Sequence, residues 1–221
     1  MTSLNKARAA LLINILCFMF GFWLLVSKFH YLHDKSLFPE QVIEMLLLDR
    51  YHFIIWNLFV YAVFGVSLLY LTVAIFFYIN KHRPQLANGI LTIGGIWSGF
   101  MLLSGGLSIE LINNVVDVYT QNPDLAVNVW VLGSLLLESV GGGNEFIGAI
   151  WVGLISYAMP ARKWMTTSTK ITGYVASALG LSTLFDSSET FASLFGALLI
   201  FWFLSLFAAL PKTFTSWEDK K

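Results

Sequence analysis

The chain has 221 residues, of which 57% are hydrophobic, 16% aromatic and only 12% charged. Soluble domains carry about a quarter charged residues, so this composition excludes an ordinary soluble domain and indicates a chain that lies mostly in lipid. Its 13 lysines and arginines balance 13 aspartates and glutamates, which leaves no basic excess for nucleic acid. The single cysteine, Cys17, cannot form an internal disulfide.

A helix that crosses a bilayer needs about 20 mostly apolar residues, and the sequence predicts six of them in one transmembrane domain over residues 1–221. The first follows Lys6 and Arg8, and it is too long for the core of a cleaved signal peptide. Pro39 begins a short amphipathic helix, predicted over 39–48 on the outer surface. The predicted spans cover residues 9–27, 53–79, 89–111, 140–159, 171–185 and 190–210.

The stretch from residue 126 to residue 159 is too long for one straight span, and it contains Glu138 and the glycine run 141–143. We therefore predict a span at 140–159, preceded by an interfacial or re-entrant segment at 126–137. Apolar runs of about 10 to 14 residues are usually too short to cross the membrane and form such segments instead. No Gly-Lys-Ser/Thr follows the glycine run, so it is interpreted as a flexible joint rather than a phosphate loop.

The basic residues set the orientation of these spans. If the N-terminus is cytoplasmic, ten of the 13 lysines and arginines fall in cytoplasmic segments, and only Lys28, Lys35 and Arg50 fall outside. This asymmetry satisfies the positive-inside rule, and a seventh span at 126–137 would lose it. The prediction is an all-α integral membrane protein, a six-helix bundle with both termini cytoplasmic.

Small residues spaced four apart predict close contacts between the helices of the bundle, because they let two backbones approach in lipid. This spacing occurs in three predicted spans: at Gly95 and Gly99, with Gly106 near the same face; at Ala149 and Gly153; and at Gly173 and Ser177.

Polar residues at the outer ends of spans three to five are the main candidates for a ligand site. They could line an outer vestibule that attracts a cation or a basic ligand. The alternative is a set of solvated helix ends, with Asn144 capping the fourth span and Glu145 favoured at its N-terminus. The candidates are Glu110, Asn113, Asn114, Asp117, Glu138, Asn144 and Glu145, of which Glu110 and Glu145 are the deepest.

Three histidines on the predicted outer side, His30, His33 and His52, are the metal-ligating candidates. Helical spacing would bring His30 and His33 together near Asp34. Ordinary interfacial histidines are the preferred interpretation, because these residues show no recognised metal-ligand spacing. No catalytic motif occurs in the sequence, so no catalytic residue and no cofactor are predicted.

The last three spans share an apolar, glycine-based pattern. It consists of IWVGL at 150–154, MP at 159–160, GY at 173–174, LGL at 179–181 and FWF at 201–203. Over residues 148–210 this pattern resembles a large bacterial group of six-span membrane proteins of about this length, described only as a domain of unknown function. The resemblance implies a multi-pass protein of the inner membrane and supplies no catalytic or binding residues.

These patterns lead to three functional hypotheses. In all three the protein lies in the lipid bilayer, which is therefore its first predicted partner. The preferred one is binding, with transport as its extension, of a small ligand or cation in an outward-facing polar cavity. The second is a non-catalytic structural or assembly partner of another membrane protein, because the helix faces carry small residues. The third is a lipid-modifying enzyme that uses outer histidines or carboxylates.

Overall fold

The computed structural model describes residues 3–34, 36–159, 166–185 and 189–209. Within these ranges the chain is helical and contains no strand. A 3-10 helix, His30–His33, follows the first α-helix, and a π-helical segment, Leu58–Val63, joins the third to the fourth. The α-helices are α1 Ser3–Ser27, α2 Pro39–Leu48, α3 Arg50–Asn57, α4 Phe64–Asn80, α5 Pro84–Tyr119, α6 Pro123–Ala158, α7 Thr167–Ser182 and α8 Glu189–Ala209.

Five stretches of helix are long and apolar enough to cross a membrane. They are Asn5–Ser27, Arg50–Asn80, Pro84–Tyr119, Pro123–Ala158 and Thr190–Ala208. The second of these stretches combines α3, the π-helical segment and α4. Helix α7 has 16 residues, which corresponds to about 24 Å at 1.5 Å per residue and is shorter than the length that spans a bilayer alone. The chain is thus an all-helical protein with several apolar helices of membrane length.

Helix α6 runs without a break through Pro123–Ala158, so the predicted flexible joint between the segment at 126–137 and the span at 140–159 is wrong. Which part of α6 crosses the membrane stays a prediction. Its start signals lie upstream, where Asn122 accepts the Leu125 N–H and Pro123 follows as the first helical residue. The glycine run 141–143 costs about 1 kcal/mol per residue relative to alanine. Opening the helix in an apolar medium would cost more, because its backbone groups would lose their partners.

Helices α5 and α6 form a long antiparallel hairpin at the centre of the fold. Each has 36 residues and is therefore about 54 Å long. One end of the hairpin packs against α4 and α7, and α7 in turn packs against α8. The other end extends beyond them and packs against α2, where Ile43, Val115 and Ala126 are buried together. The helix expected at 39–48 is α2, and it buries Ile43 and Leu46.

Three tryptophans form a row through the core, one each from α5, α6 and α8. The ring centroids of Trp97 and Trp151 lie 5.6 Å apart, and those of Trp151 and Trp202 lie 5.9 Å apart. All three side chains are fully buried. Their size fixes the distances between the helices at the level of the row, because a core packed this closely leaves few voids.

The glycines of α5 that approach other helices differ from those predicted. A methyl group at Gly95, Gly99 or Gly106 would meet open space, so the predicted contact face is wrong for the part of the chain that the structure describes. The close approaches are instead at Gly94 and Gly105. A one-residue shift turns a helical position by about 100°, since an α-helix has 3.6 residues per turn.

The small-residue contacts predicted between the fourth and fifth spans are present as contacts between α6 and α7. The Ser177 hydroxyl donates to the Ala149 carbonyl at 2.8 Å, and a methyl group at Gly153 would lie 2.7 Å from Ser177 Oγ. These close approaches explain why α7 packs tightly against the end of α6 despite its short length.

Candidate functional site

A half-open cavity of about 280 Å³ lies between α1, the π-helical segment, α5, α6 and α8, and Ser193 in its lining is exposed. Most of its wall is aromatic. Phe18 and Phe64 meet edge to face at 5.0 Å, and Phe64 meets Trp97 in the same way at 5.6 Å. Phe22, Trp56 and Tyr61 also line the cavity. Such a wall suits an apolar body, and it can also hold a cation over its rings.

Two polar residues of α6 reach this wall side by side. Asn144 is 6% exposed, and its Nδ2 donates to Ser104 Oγ at 3.2 Å. Its Oδ1 is buried and has no hydrogen-bond partner among the described residues. Glu145, the next residue, contributes the one carboxylate of the described cavity lining. A carboxylate inside an apolar bundle is costly unless it gains a partner.

The local backbone explains how the cavity forms between these helices. The chain widens into a π-helical segment at Leu58–Val63, and such segments are frequent at functional sites. On one side Trp56 Nε1 donates to the Gly21 carbonyl at 3.1 Å, which fixes α3 against α1. On the other side Gly105 admits the Tyr61 side chain, since an added methyl group would lie 2.8 Å from Tyr61 Cβ. The segment therefore sets Tyr61 between α5 and the cavity.

Below the cavity, two pairs of buried polar groups converge on glycines. Thr72 Oγ1 and Trp151 Nε1 lie 2.5 and 2.6 Å from the methyl position of Gly94. Ser156 Oγ and Trp202 Nε1 flank Gly173 in the same way. None of the four atoms has a hydrogen-bond partner among the described residues. Both glycines are required here, because a side chain would displace these groups.

A larger depression of about 620 Å³ runs between α1 and the chain from the π-helical segment into α4. It is an open groove on the surface of the bundle, because Ile13, Val66 and Tyr70 in its wall are exposed. The Ser67 hydroxyl in its floor already donates to the Ala10 carbonyl. This groove lacks the converging polar groups that mark a specific site, so the smaller cavity is the candidate.

Of the seven ligand-site candidates, the structure brings Asn144 and Glu145 together at the cavity. The other five lie on α5 and α6 away from its lining. Glu110, Asn114 and Asp117 are exposed, and Asn114 Nδ2 bonds Glu110 Oε1 at 3.2 Å. The two remaining candidates are Asn113, which accepts from Arg50 Nη2 at 2.8 Å, and the exposed Glu138.

The alternative interpretation of Asn144 as a helix cap is wrong. Asn144 lies in the interior of α6, and the residue that caps this helix is Asn122. The aromatic wall was not predicted as part of a site. The available sequence signal was an asparagine and a glutamate inside an apolar stretch that also holds Trp151; it does not reveal which aromatic residues of other helices would face them.

The histidine candidates do not gather into a metal site in the part of the chain that the structure describes. His30 and His52 are exposed, and the His33 side chain lies outside the described residues. His52 Nδ1 is 3.3 Å from Asp49 Oδ1, and the same carboxylate lies 3.7 Å from Lys28 Nζ. No group of three or more described His, Cys, Asp or Glu side chains could hold a metal ion.

The fold and the cavity together define a class: a helical bundle with several helices of membrane-crossing length and an aromatic cavity lined by Asn144 and Glu145. No family model, curated protein or solved structure matches the chain.

Proposed function

We propose that this protein is a multi-pass membrane protein that binds a small ligand in the aromatic cavity beside Asn144 and Glu145. The observation that carries the proposal is Glu145, the one carboxylate among the described residues that line a largely aromatic cavity. A carboxylate in such surroundings is costly unless it gains a partner, and a ligand can supply one here. Transport of the ligand would be an extension of this binding.

The proposed topology has six spans with both termini in the cytoplasm of a bacterial cell and the chain in the inner membrane. The distribution of basic residues supports the orientation, and the resemblance over residues 148–210 supports the location. The packing of α7 supports its place as the short fifth span. It runs from Gly173, which approaches Trp202, to Gly180, which approaches Phe195, so it follows α8 in the opposite direction.

Native mass spectrometry of the full-length protein in mild detergent tests the proposal. We expect a reproducible small-molecule adduct on the wild-type protein and on Glu138→Gln, since Glu138 is an exposed carboxylate of the same helix. In Glu145→Gln the adduct should fall about tenfold or more, because a hydrogen bond to a charged group contributes about 1.5–3 kcal/mol. Equal occupancy in both variants, or a ligand-free wild-type protein after extraction from native membranes, would overturn the proposed site.

A second candidate function is assembly with another membrane protein, favoured by one observation on each half of the hairpin. On α5 the faces of Gly95, Gly99 and Gly106 meet nothing. On α6, Leu132 and Leu136 are 63% and 64% exposed. We expect a cysteine at Gly99 to crosslink to a partner in native membranes, because small residues permit close helix approach. A cysteine at Leu204, an exposed position of α8, is the control. If the cysteine at Gly99 crosslinks no more than this control, the result counts against assembly through α5.

A further inference from the structure

We infer that the ligand of this cavity is a small protonated amine with an apolar, ring-sized body. This inference rests on the proposed function and names the chemical class of the ligand. Its starting point is the balance of charge in the cavity. Among the described residues the lining contains Glu145 but no lysine, arginine or histidine, and a carboxylate in an apolar medium is stabilised most by a cation.

The wall of the cavity provides the second element of a cation site. Aromatic faces attract a cation within about 6 Å of the ring centroid. Phe18, Phe64 and Trp97 form a continuous aromatic surface, with centroid distances of 5.0 and 5.6 Å. Tyr61 lies on the same wall as Glu145. A cation that pairs with Glu145 therefore lies in a cavity lined by aromatic side chains, and its apolar part packs against them.

The carboxylate of Glu145 narrows the class further, because a carboxylate only accepts hydrogen bonds. An ammonium group with N–H bonds can donate to it and form a charge-assisted hydrogen bond. A quaternary ammonium has no N–H to donate. A neutral alcohol can donate one hydrogen bond but leaves the carboxylate uncompensated.

The volume of the cavity limits the size of this amine. At about 280 Å³ it lies just below the range of about 300–1,000 Å³ that is typical of ligand pockets. A phenylethylammonium ion is small enough for a pocket of this size, whereas a two-chain lipid is far larger.

The test compares three probes that share one body: 2-phenylethylamine, its N-trimethylated analogue and 2-phenylethanol. Binding to the wild-type protein in mild detergent is measured by calorimetry at neutral pH. We expect the amine to bind about tenfold or more tightly than either analogue, because one charge-assisted hydrogen bond separates it from each. If the quaternary analogue or the alcohol binds as tightly as the amine, the inference is overturned without the use of any variant.

One substitution then isolates the contact with the carboxylate. Glu145→Gln should weaken the amine most and the quaternary analogue less, and it should bring the affinities of the amine and the alcohol close together. Glu138→Gln is the matched control and should change none of the three affinities. If Glu145→Gln weakens all three probes equally, the substitution changes the shape of the cavity, and this result would contradict the donor argument.

The outcomes also distinguish this inference from the proposed function. If the alcohol binds best and Glu145→Gln has no effect on it, the amine class is wrong while ligand binding stands. If none of the probes binds, the amine class is overturned. If the native mass spectrum is also free of ligand, the proposed function falls with it.

Discussion

Two adjacent glycines of α5 should respond in opposite directions to the same substitution. At Gly95 an added methyl group meets open space, so Gly95→Ala should stabilise the protein by about 0.5–1 kcal/mol through helix propensity alone. At Gly94 the methyl group would lie 2.5 Å from Thr72 Oγ1 and 2.6 Å from Trp151 Nε1. Both distances are far below van der Waals contact, so Gly94→Ala also carries an overpacking cost of about 1–3 kcal/mol.

The propensity gain is the same at both positions, so the difference between the two variants isolates the packing cost. We expect Gly94→Ala to be about 1–3 kcal/mol less stable than Gly95→Ala. Reversible unfolding in mixtures of sodium dodecyl sulfate and mild detergent, followed by far-ultraviolet circular dichroism, measures both free energies of unfolding. Equal stability of the two variants would refute the packing of α5 against α4 and α6 described above.

A third variant tests whether Thr72 is the neighbour responsible. Thr72→Ala removes both Oγ1 and Cγ2, which each lie 2.5 Å from the added methyl group. Combined with Gly94→Ala, it should recover part of the loss, and residues in contact show coupling energies of about 0.5–3 kcal/mol. Additive effects of the two substitutions would show that Thr72 is not the group displaced, and Trp151 would remain as the obstacle.

Three further predictions concern the connection between α1 and α3 and its contact with α5. Burial, and secondarily the negative charge of Asp49, raise the pKa of Tyr31 above the ordinary 10. The stability that its neutral phenol contributes is therefore lost as the pH rises past 10. Thermal melts of Tyr31→Phe should lack this loss of stability at alkaline pH. Two hydrogen bonds from Ser36 lower the pKa of Asp34, and they stabilise the loop until the pH falls through that lowered value. Ser36→Ala should raise the pKa of Asp34 towards 3.8 in a carbon-13 NMR titration. Asn113→Leu should cost about 1.5–3 kcal/mol by denaturant unfolding, because it removes the acceptor of Arg50.

Much of the fold follows from the hydrophobicity of the sequence, but the continuity of α6 does not. Hydropathy predicts apolar helices at each place where the structure has them. The break predicted before residue 140 fails because the length argument assumed that a helix ends where the bilayer ends. The structure shows α5 and α6 supporting each other beyond that level, with Val115 and Ala126 buried against α2. Such mutual support is a tertiary effect and leaves no signal in a single hydrophobic run.

The candidate site shows the same division between local and tertiary information. Asn144 and Glu145 stand out in the sequence because they interrupt an apolar stretch, and both line the cavity. Which face of α6 they occupy depends on the register of α6 against α5, which is set by contacts such as Asn144 with Ser104. In the same way, spacing could not separate Gly94 from Gly95. Small-residue patterns identify a helix that approaches other helices. Which of two adjacent residues makes the contact depends on the rotation of the helix about its axis.

The tryptophan row also gives the molecule a built-in optical probe. Indole rings less than 6 Å apart, as in Trp97, Trp151 and Trp202, couple their electronic transitions, so the near-ultraviolet circular dichroism of the folded protein should carry a strong signal from these three rings. Trp97 is both the first ring of the row and part of the cavity wall. Any molecule that enters the cavity touches one end of this coupled system, and its arrival should be visible in the intrinsic spectrum without a label.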